Sequence, residues 1–289
     1  MRNRTPSLRG PAGGLDPLRI GLITEDRYLG HLQPAGLRAA LEDRDHMVIA
    51  IDPNEARLAG TPSWTEGIDM VLARGRSEPL LACLAVAEGL GVATLNASRA
   101  IRLVRDKRSM SRVLEARKIP TPVTYLAPIR RLVHMIRLAD YPIILKPIFG
   151  DNARGLRVVR TAAELADLVW PEPVALAQAF LPSDGYDLKL YGIGARVWAV
   201  RKRSPLLAVT GGGERAVGGE PVPLTPELES LARRCASAFD LDLYGVDCLP
   251  TDRGPLVLEV NDFPNYSGVP DASDRLATYV AARARERKP

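Results

Sequence analysis

The sequence predicts a mixed α/β fold in which a parallel α/β unit is followed by two α+β units. Before residue 96, short apolar runs alternate with helix-like stretches, a pattern typical of a parallel sheet covered by helices. Further along, strand-like runs are joined by short glycine-bearing turns, which indicates antiparallel pairing. A chain of 289 residues with 46% hydrophobic residues is long enough to bury a sizeable core.

The first part of the chain divides into a leader and a parallel domain. Residues 1–17 are rich in Pro, Gly and Arg and lack periodicity, so they predict a flexible leader. The parallel domain is predicted at 18–96. Its strands are the apolar runs at 18–24, 47–52 and 68–73, separated by the helical stretches "PAGLRAALEDR" and "SEPLLACLAVAEGLG".

The rest of the chain predicts a central subdomain at 97–180 and a C-terminal subdomain at 181–289. The central part begins with apolar residues at helical spacing, and Pro120 and Pro122 mark the end of this predicted helix. The sequence after it predicts a strand, a glycine turn, a strand, a helix and a strand at 174–180. The C-terminal part predicts a hairpin turning at "GIGA", a helix, two strands and a final helix. Residues 211–223 have five glycines and no periodicity, and they predict a mobile loop.

Composition limits the class of protein. Three widely spaced cysteines without a CxxC pair indicate neither a disulfide framework nor a zinc site. The absence of a long apolar run and of a signal-peptide pattern predicts a cytoplasmic protein with no membrane partner. Basic stretches without interleaved aromatics do not indicate nucleic acid, while the net charge of +5 is compatible with anionic ligands. The oligomeric state is left open, a homo-oligomer included.

A glycine loop follows a lysine in an apolar run. The loop "FGDNARGLR" fits GxxxxG but has Leu156 and Arg157 where a P-loop needs Lys and Ser or Thr. Glycines allow backbone amides to approach a phosphate, although an ordinary hairpin turn is the favoured interpretation of the loop when it is taken alone. Lys146 lies in "IILKPI", where an unpaired ammonium is costly to bury, so it predicts an anion nearby or a partly exposed edge position.

Oxygen-donor side chains cluster on two predicted strands near the C-terminus. Asp247 lies in the apolar context "YGVDCLP", while Glu259 and Asn261 are two apart on the next strand. Residues two apart in a strand share a face, so the three side chains could project together. Mg²⁺ prefers oxygen ligands, takes few protein carboxylates and bridges substrate phosphates. The cluster therefore predicts a magnesium site, with solvated positions on an amphipathic sheet as the alternative.

With these residues in view, the chain resembles the ATP-grasp superfamily, from about Leu18 to its end. The ordered segments are similar to those of ribosomal protein S6 glutamate ligase (RimK)-like enzymes. They are "VRDKRSMSRVLEARKIPTP", "ILKPIFGDNARGLRVV", "LAQAFLP", "YDLKLYGIGARVWAVRKRS" and "YGVDCLPTDRGPLVLEVN".

The resemblance implies an ATP-grasp fold that clamps ATP between two subdomains, and it implies a role for each matched residue. It implies that Lys107 and Lys146 contact the phosphates and that residues 178–180 contact the adenine. The full set of implied nucleotide contacts is Lys107, Lys146, Gly150, Asp151, Asn152, Gly155, Gln178, Ala179, Phe180 and Asp187. The implied ligands of two magnesium ions, with Mn²⁺ as an alternative metal, are Asp247, Glu259 and Asn261. The implied catalytic residues that stabilise transferred phosphate or substrate charge are Arg203, Lys189 and Arg215.

Two departures from the resemblance keep a second function open. RimK-like ligases carry "N-x-HRGG" where this chain has "AVTGGGERAV", and residues 261–270, "NDFPNYSGVP", are similar to a segment of inositol phosphate kinases of the same fold. Against a kinase, Glu259 replaces an aspartate and the glycine loop lacks two histidines. The favoured hypothesis is a ligase that joins small-molecule or peptide carboxylates and amines through an acyl phosphate; a small-molecule kinase is the alternative. A noncatalytic nucleotide-binding protein would require the loss of a metal ligand or phosphate lysine, and neither is missing.

Overall fold

A parallel sheet forms the N-terminal part of the molecule. The computed structural model describes residues 16–150, 155–181, 183–204, 206 and 218–287. Its first sheet has four parallel strands in the order β2-β1-β3-β4. They are β1 (Arg19–Thr24), β2 (Met47–Ile51), β3 (Met70–Arg74) and β4 (Ala93–Leu95). The three predicted strands are confirmed, and β4 is an addition that is too short to show a periodic pattern.

Helices connect β1 to β2 and β3 to β4, as is usual for parallel strands. They are α1 (Asp26–Leu29), α2 (Leu32–Glu42) and α3 (Glu78–Gly89). The buried side chains of β1 and β3, including Ile23 and Val71, pack on α3 through Leu80 and Leu84. This packing fixes the carboxyl ends of β1 and β3 side by side.

The predicted helix after residue 97 is broken in two at Asp106. The structure has α4 (Ser98–Arg105) and α5 (Lys107–Ala116). The side chain of Asp106 accepts a hydrogen bond from the backbone N–H of Arg108 at 2.9 Å, which caps the start of α5. The break makes Lys107 the first residue of α5, where its side chain can extend away from the helix.

The second sheet is antiparallel, in the order β5-β8-β6-β7. Its strands are β5 (Thr124–Ala127), β6 (Ile143–Lys146), β7 (Arg157–Val159) and β8 (Ala175–Ala179). The helices of this part are α6 (Ile129–Met135) and α7 (Ala162–Ala166). The predicted order of strand, glycine turn, strand, helix and strand is confirmed, and β5 and α6 are additions.

The third sheet is antiparallel, in the order β11-β10-β9-β12-β13. Its strands are β9 (Tyr186–Ile193), β10 (Arg196–Arg203), β11 (Glu220–Val222), β12 (Leu243–Leu249) and β13 (Leu256–Asn261). The helices that follow β11 and β13 are α8 (Pro226–Phe239) and α9 (Ala272–Glu286). The loop predicted at 211–223 is wrong at its end, because Glu220–Val222 pairs with β10 as an edge strand. Such an edge tolerates Pro221. The remainder of that prediction, residues 211–217, lies outside the described residues.

The third sheet buries different partners on its two faces. One face places Leu190 and Val246 against Phe239 of α8. The opposite face carries Tyr191, which joins Leu276 of α9 in a core shared with the first sheet. The polar end of this second face lies open toward the other two sheets, and the candidate site is there.

Cys83, Cys235 and Cys248 are free and buried, which confirms that they serve as small apolar side chains. Among the described helices, none combines the length and the apolar character that a membrane-spanning segment needs. The domain limits at residues 96 and 180 stay a prediction.

Asn96 ties the first sheet to the third. Its Nδ2 donates to the carbonyls of Leu243 at 2.7 Å and Asp262 at 2.6 Å. Its Oδ1 accepts from the backbone N–H groups of Asp242 at 2.8 Å and Leu243 at 3.0 Å. The side chain is only 5% exposed, so these four bonds use its full hydrogen-bonding capacity away from water.

Replacing Asn96 with alanine is expected to lower the free energy of unfolding by about 3 kcal/mol, because buried backbone groups lose their partners. Urea denaturation followed by circular dichroism measures the change. Asn54→Ala, at an exposed position, is the control and is expected to change the free energy by less than about 0.5 kcal/mol. A loss below about 1 kcal/mol for Asn96→Ala would contradict this role.

Candidate active site

The three predicted oxygen donors lie together on one face of the third sheet. Asp247 of β12 is directly opposite Glu259 of β13, and Asn261 is opposite Gly245. On its other side, Asp247 is directly opposite Lys189 of β9. Directly opposite residues point to the same face, so the two carboxylates, the amide and Lys189 form one polar row.

A cation holds each oxygen donor. Lys189 Nζ lies 2.7 Å from Asp247 Oδ2, and Lys107 Nζ lies 3.0 Å from Glu259 Oε1. Arg76 Nη2 donates to Asn261 Oδ1 at 2.9 Å. The cations come from three different parts of the chain, namely β9, the start of α5 and the segment after β3.

The glycine loop begins at the same cluster. Lys107 Nζ donates to the carbonyl of Gly150 at 2.6 Å, and Arg76 Nη1 donates to the same carbonyl at 3.4 Å. Gly155 has a φ of +75°, a left-handed conformation that favours glycine. The structure therefore places both ends of the loop, while Asp151 and Asn152 lie outside the described residues.

Lys146 donates a hydrogen bond to an amide side chain. Its Nζ donates to Gln178 Oε1 at 2.6 Å, and Gln178 Nε2 donates to Thr124 Oγ1 at 3.0 Å. Burial lowers the pKa of Lys146 to about 8, although Glu259 favours the charged form. The Lys146 ammonium therefore lies near the carboxylate cluster, and its pKa of about 8 is close to neutral pH.

The predicted adenine segment continues from Gln178 along the end of β8. The backbone N–H of Ala179 donates to the carbonyl of Val123 at 3.2 Å, and that of Phe180 donates to the carbonyl of Pro142 at 3.0 Å. The segment therefore sits between the ends of two neighbouring strands. Its role in adenine binding stays a prediction.

Asp187 lies two residues before Lys189 on β9 and shares its face. Its side chain is buried, and its Oδ1 has no hydrogen-bond partner within the part of the chain that the structure describes. Burial raises the pKa of Asp187, against the attraction of Lys189. A buried oxygen without a partner is costly, so this position suits a ligand that brings a donor.

The cations also set the charge states in the row. Burial works against the charge of Glu259, but Lys107 and Arg76 together hold its pKa below the ordinary value. Burial likewise disfavours charge on Lys189, but Asp247 and Asp187 raise its pKa above the ordinary value. Glu259 is therefore a carboxylate and Lys189 an ammonium at neutral pH.

Arg203 is not brought into this row. It is directly opposite Tyr186 in the β9–β10 pair, is exposed, and shares the face that carries Leu188. Lys202 is directly opposite Asp187 and therefore lies on the face of the polar row. Counting alternate residues across the predicted hairpin could have found Lys202. Arg215 lies outside the described residues.

The sequence patterns did not predict Arg76, and they did not predict Glu25, which holds the backbone of Arg76 in place. Glu25 follows β1 and Arg76 follows β3, so both stand at carboxyl ends of parallel strands, where open α/β sheets bind ligands. Glu25 Oε1 accepts hydrogen bonds from the backbone N–H groups of Arg76 and Ser77. The position after β3 was the available signal, although it does not identify the partner of Arg76.

The donor set fits a metal that is shared with a substrate. Within the described ranges, no group of three or more His, Cys, Asp or Glu side chains could hold a metal ion by itself. Asp247, Glu259 and Asn261 supply two carboxylates and one amide oxygen. Mg²⁺ takes such a small oxygen set when phosphates and water complete its shell. The residues present therefore fit magnesium bound with a nucleotide.

Comparison with known proteins agrees with this geometry. The family model of the RimK-like ATP-grasp domain matches residues 104–280. A probable alpha-L-glutamate ligase 1 of Hahella chejuensis is 31% identical over 303 residues, which cover 94% of this chain and 97% of the relative.

Solved structures share the fold. A RimK domain ATP-grasp protein from Sphaerobacter thermophilus has a TM-score of 0.71 at 20% identity, with 90% of this chain and 98% of that chain covered. The D-alanine–D-alanine ligase of Bacillus anthracis, solved in complex with ATP, has a TM-score of 0.70 at 17% identity, with 93% and 98% covered. From the matched domain and the relative together, the chain belongs to the RimK-like ATP-grasp family and is an ATP-dependent ligase of the carboxylate–amine class.

Proposed function

We propose that this chain uses ATP and Mg²⁺ to join a carboxylate to an amine by way of an acyl phosphate. One observation carries the proposal. The cross-strand pair of Asp247 and Glu259 lies beside Asn261, and Lys107 joins this cluster to Gly150 at the start of the glycine loop. A nucleotide whose phosphates lie under the loop would present them to these ligands.

The nucleotide is held by cations and by backbone. Lys146 and Lys107 bind its phosphates, and the loop from Gly150 to Gly155 covers them with backbone N–H groups. Residues 178–180 hold the adenine, and Asp187, whose Oδ1 has no partner among the described residues, accepts a hydrogen bond from a hydroxyl group of the nucleotide. Asp247, Glu259 and Asn261 would hold magnesium, and Mn²⁺ could use the same oxygen ligands.

Two displacement steps follow from this arrangement. A carboxylate oxygen attacks the γ-phosphorus, the bond from that phosphorus to the bridging oxygen breaks, and ADP leaves with the bonding electrons. The amine then attacks the carbonyl carbon of the acyl phosphate, phosphate leaves, and the nitrogen loses a proton. Magnesium held by Asp247, Glu259 and Asn261 would supply positive charge to the phosphate. Lys189 stays protonated beside Asp247 and stabilises the same developing charge.

The substrates are small-molecule or peptide carboxylates and amines. The Hahella relative is named a probable alpha-L-glutamate ligase, so L-glutamate is the first amine to test. Arg215 remains a proposed contact for substrate charge, whereas Arg203 lies on the face of the sheet opposite to Asp247 and is no longer proposed. A cytoplasmic location, where ATP is available, suits this activity.

Hydroxylamine trapping tests the proposal. With ATP, magnesium and a panel of amino acids, dipeptides and small acids, the full chain is expected to release ADP and phosphate and to form a hydroxamate when hydroxylamine replaces the amine. An acyl phosphate is a mixed anhydride, so hydroxylamine intercepts it. Formation of a phosphoester from inositol phosphates or other polyols, with no hydroxamate from any carboxylate, would overturn the ligase proposal in favour of a kinase.

A further inference from the structure

Arg76 is the side chain through which the first sheet reaches the candidate site. Its guanidinium spans the start of the glycine loop and the end of the metal strand, through the carbonyl of Gly150 and the Oδ1 of Asn261. We propose that Arg76 is a catalytic residue that binds the carboxylate to be phosphorylated. This inference rests on the ligase function proposed above.

The backbone of Arg76 is fixed in place. Glu25 Oε1 accepts the N–H groups of both Arg76 and Ser77, and Glu25 is itself held to β3 because its N–H donates to the carbonyl of Arg74 at 3.1 Å. A Cβ at Gly75 would overlap the Glu25 carboxylate, so the segment is closely packed. Preorganised cations stabilise a transition state without a reorganisation cost.

Two neighbouring arginines have other tasks. Arg74 donates through Nη1 to the carbonyl of Phe263 and through Nη2 to Asn265 Oδ1 at 3.2 Å, so it anchors the turn after the metal strand. Arg105 Nη1 donates to the carbonyl of Ser77 at 3.4 Å and is only 8% exposed. Arg76 is partly exposed, so a substrate can reach it.

Asp262 is a buried acid whose charge is attracted to these arginines. Asp262 is 7% exposed and interacts electrostatically with Arg76, Arg74 and Arg105. Arg76 Nη2 lies 2.9 Å from Asn261 Oδ1, so Arg76 stands between the metal ligands and the other two arginines.

Arg76 has the geometry that carboxylate activation needs. An attacking carboxylate oxygen must come within about 3 to 3.5 Å of the γ-phosphorus. Within the described ranges, Lys107 and Arg76 are the cations that contact both Gly150 and a metal-ligand side chain. Lys107 is a point charge in a short ion pair with Glu259, whereas a planar guanidinium can bind a carboxylate through two parallel N–H groups.

The test compares Arg76→Gln and Arg76→Lys with wild type, on a carboxylate that gives hydroxamate with the wild-type chain. We expect Arg76→Gln to raise the KM for that carboxylate at least about tenfold, and Arg76→Lys to recover part of the loss through its charge. The affinity for magnesium ADP, measured by calorimetry without a carboxylate, is expected to change less than about threefold. The rise in melting temperature that the same carboxylate gives with magnesium ADP is expected to disappear in Arg76→Gln.

Arg102→Gln is the matched control, because Arg102 pairs with Glu78 at the surface at 3.0 Å. It should retain wild-type kinetics. An unchanged carboxylate KM in both Arg76 variants, or a loss explained by a higher magnesium requirement alone, would show that Arg76 only positions Asn261 and would overturn the inference. If the wild-type chain forms no hydroxamate from any carboxylate, the proposed function itself fails; a kinetic loss confined to the variants leaves that function intact.

Discussion

Replacing Glu259 with glutamine is expected to lower ATP turnover at least about 1,000-fold in a chain that still folds, equivalent to about 4 kcal/mol. The substitution keeps the shape of the side chain and removes its charge. Glu259 is directly opposite Asp247 in the sheet, and its pKa is held low, so it is a ready anionic ligand at neutral pH. Without it, the phosphate charge is under-neutralised during transfer.

A consequence for Lys107 adds to the loss. The Nζ of Lys107 lies 3.0 Å from Glu259 and is 2.6 Å from the carbonyl of Gly150, so this ion pair also locates the glycine loop. A neutral glutamine holds an ammonium less strongly than a carboxylate does. The loop position and the metal set are therefore both affected by one change.

Release of ADP in a coupled assay, over a range of magnesium concentrations, measures the effect of Glu259→Gln. Glu229→Gln is the control, because Glu229 pairs with Arg233 on the exposed side of α8. Circular dichroism establishes that both variants fold. Turnover of Glu259→Gln within about tenfold of wild type would remove Glu259 from the metal site.

The sequence predicted the fold where a periodic pattern had room to develop. The strands at 18–24 and 68–73 and the hairpin turning at Gly194 are long enough to show their apolar runs and turn chemistry. It failed at short elements, such as Ala93–Leu95 and Glu220–Val222, because three residues carry no usable period and their pairing depends on distant strands. The break at Asp106 was likewise hidden, since the apolar spacing continues across it.

The polar row was predictable from spacing, and its cations were not. Glu259 and Asn261 are two apart in one strand, so a shared face follows from the strand itself. Their partners Lys107 and Arg76 are 152 and 185 residues away in sequence, and only the packing of the sheets brings them close. The register of the β9–β10 pair decides on which face of the sheet Lys202 lies, and an error of one residue in that register would place it on the opposite face.

Lys146 is expected to control nucleotide affinity, and Lys146→Met is expected to weaken magnesium ADP binding about 100-fold, equivalent to about 2.7 kcal/mol. Methionine keeps the apolar stem and removes the ammonium. Burial already disfavours the charge, so the nucleotide-free variant is expected to melt at or above the temperature of wild type at pH 7. A structural ion pair would behave in the opposite way, with a large fall in melting temperature and unchanged affinity.

The pH dependence separates Lys146 from the other cations. Its pKa of about 8 in the free chain means that the ammonium is present at pH 7 and is lost as the pH rises. An anionic ligand stabilises the charged form, so above the free pKa binding must take up a proton, and affinity falls by up to about tenfold for each pH unit. Calorimetric titration of magnesium ADP between about pH 7 and pH 9.5 is expected to show this fall in wild type and a flatter profile in Lys146→Met.

Arg38→Met, which removes a surface ion pair with Glu42, is the control and should follow wild type at every pH. Equal pH profiles for wild type and Lys146→Met would place the titrating group elsewhere and would leave Lys146 without a role in phosphate binding.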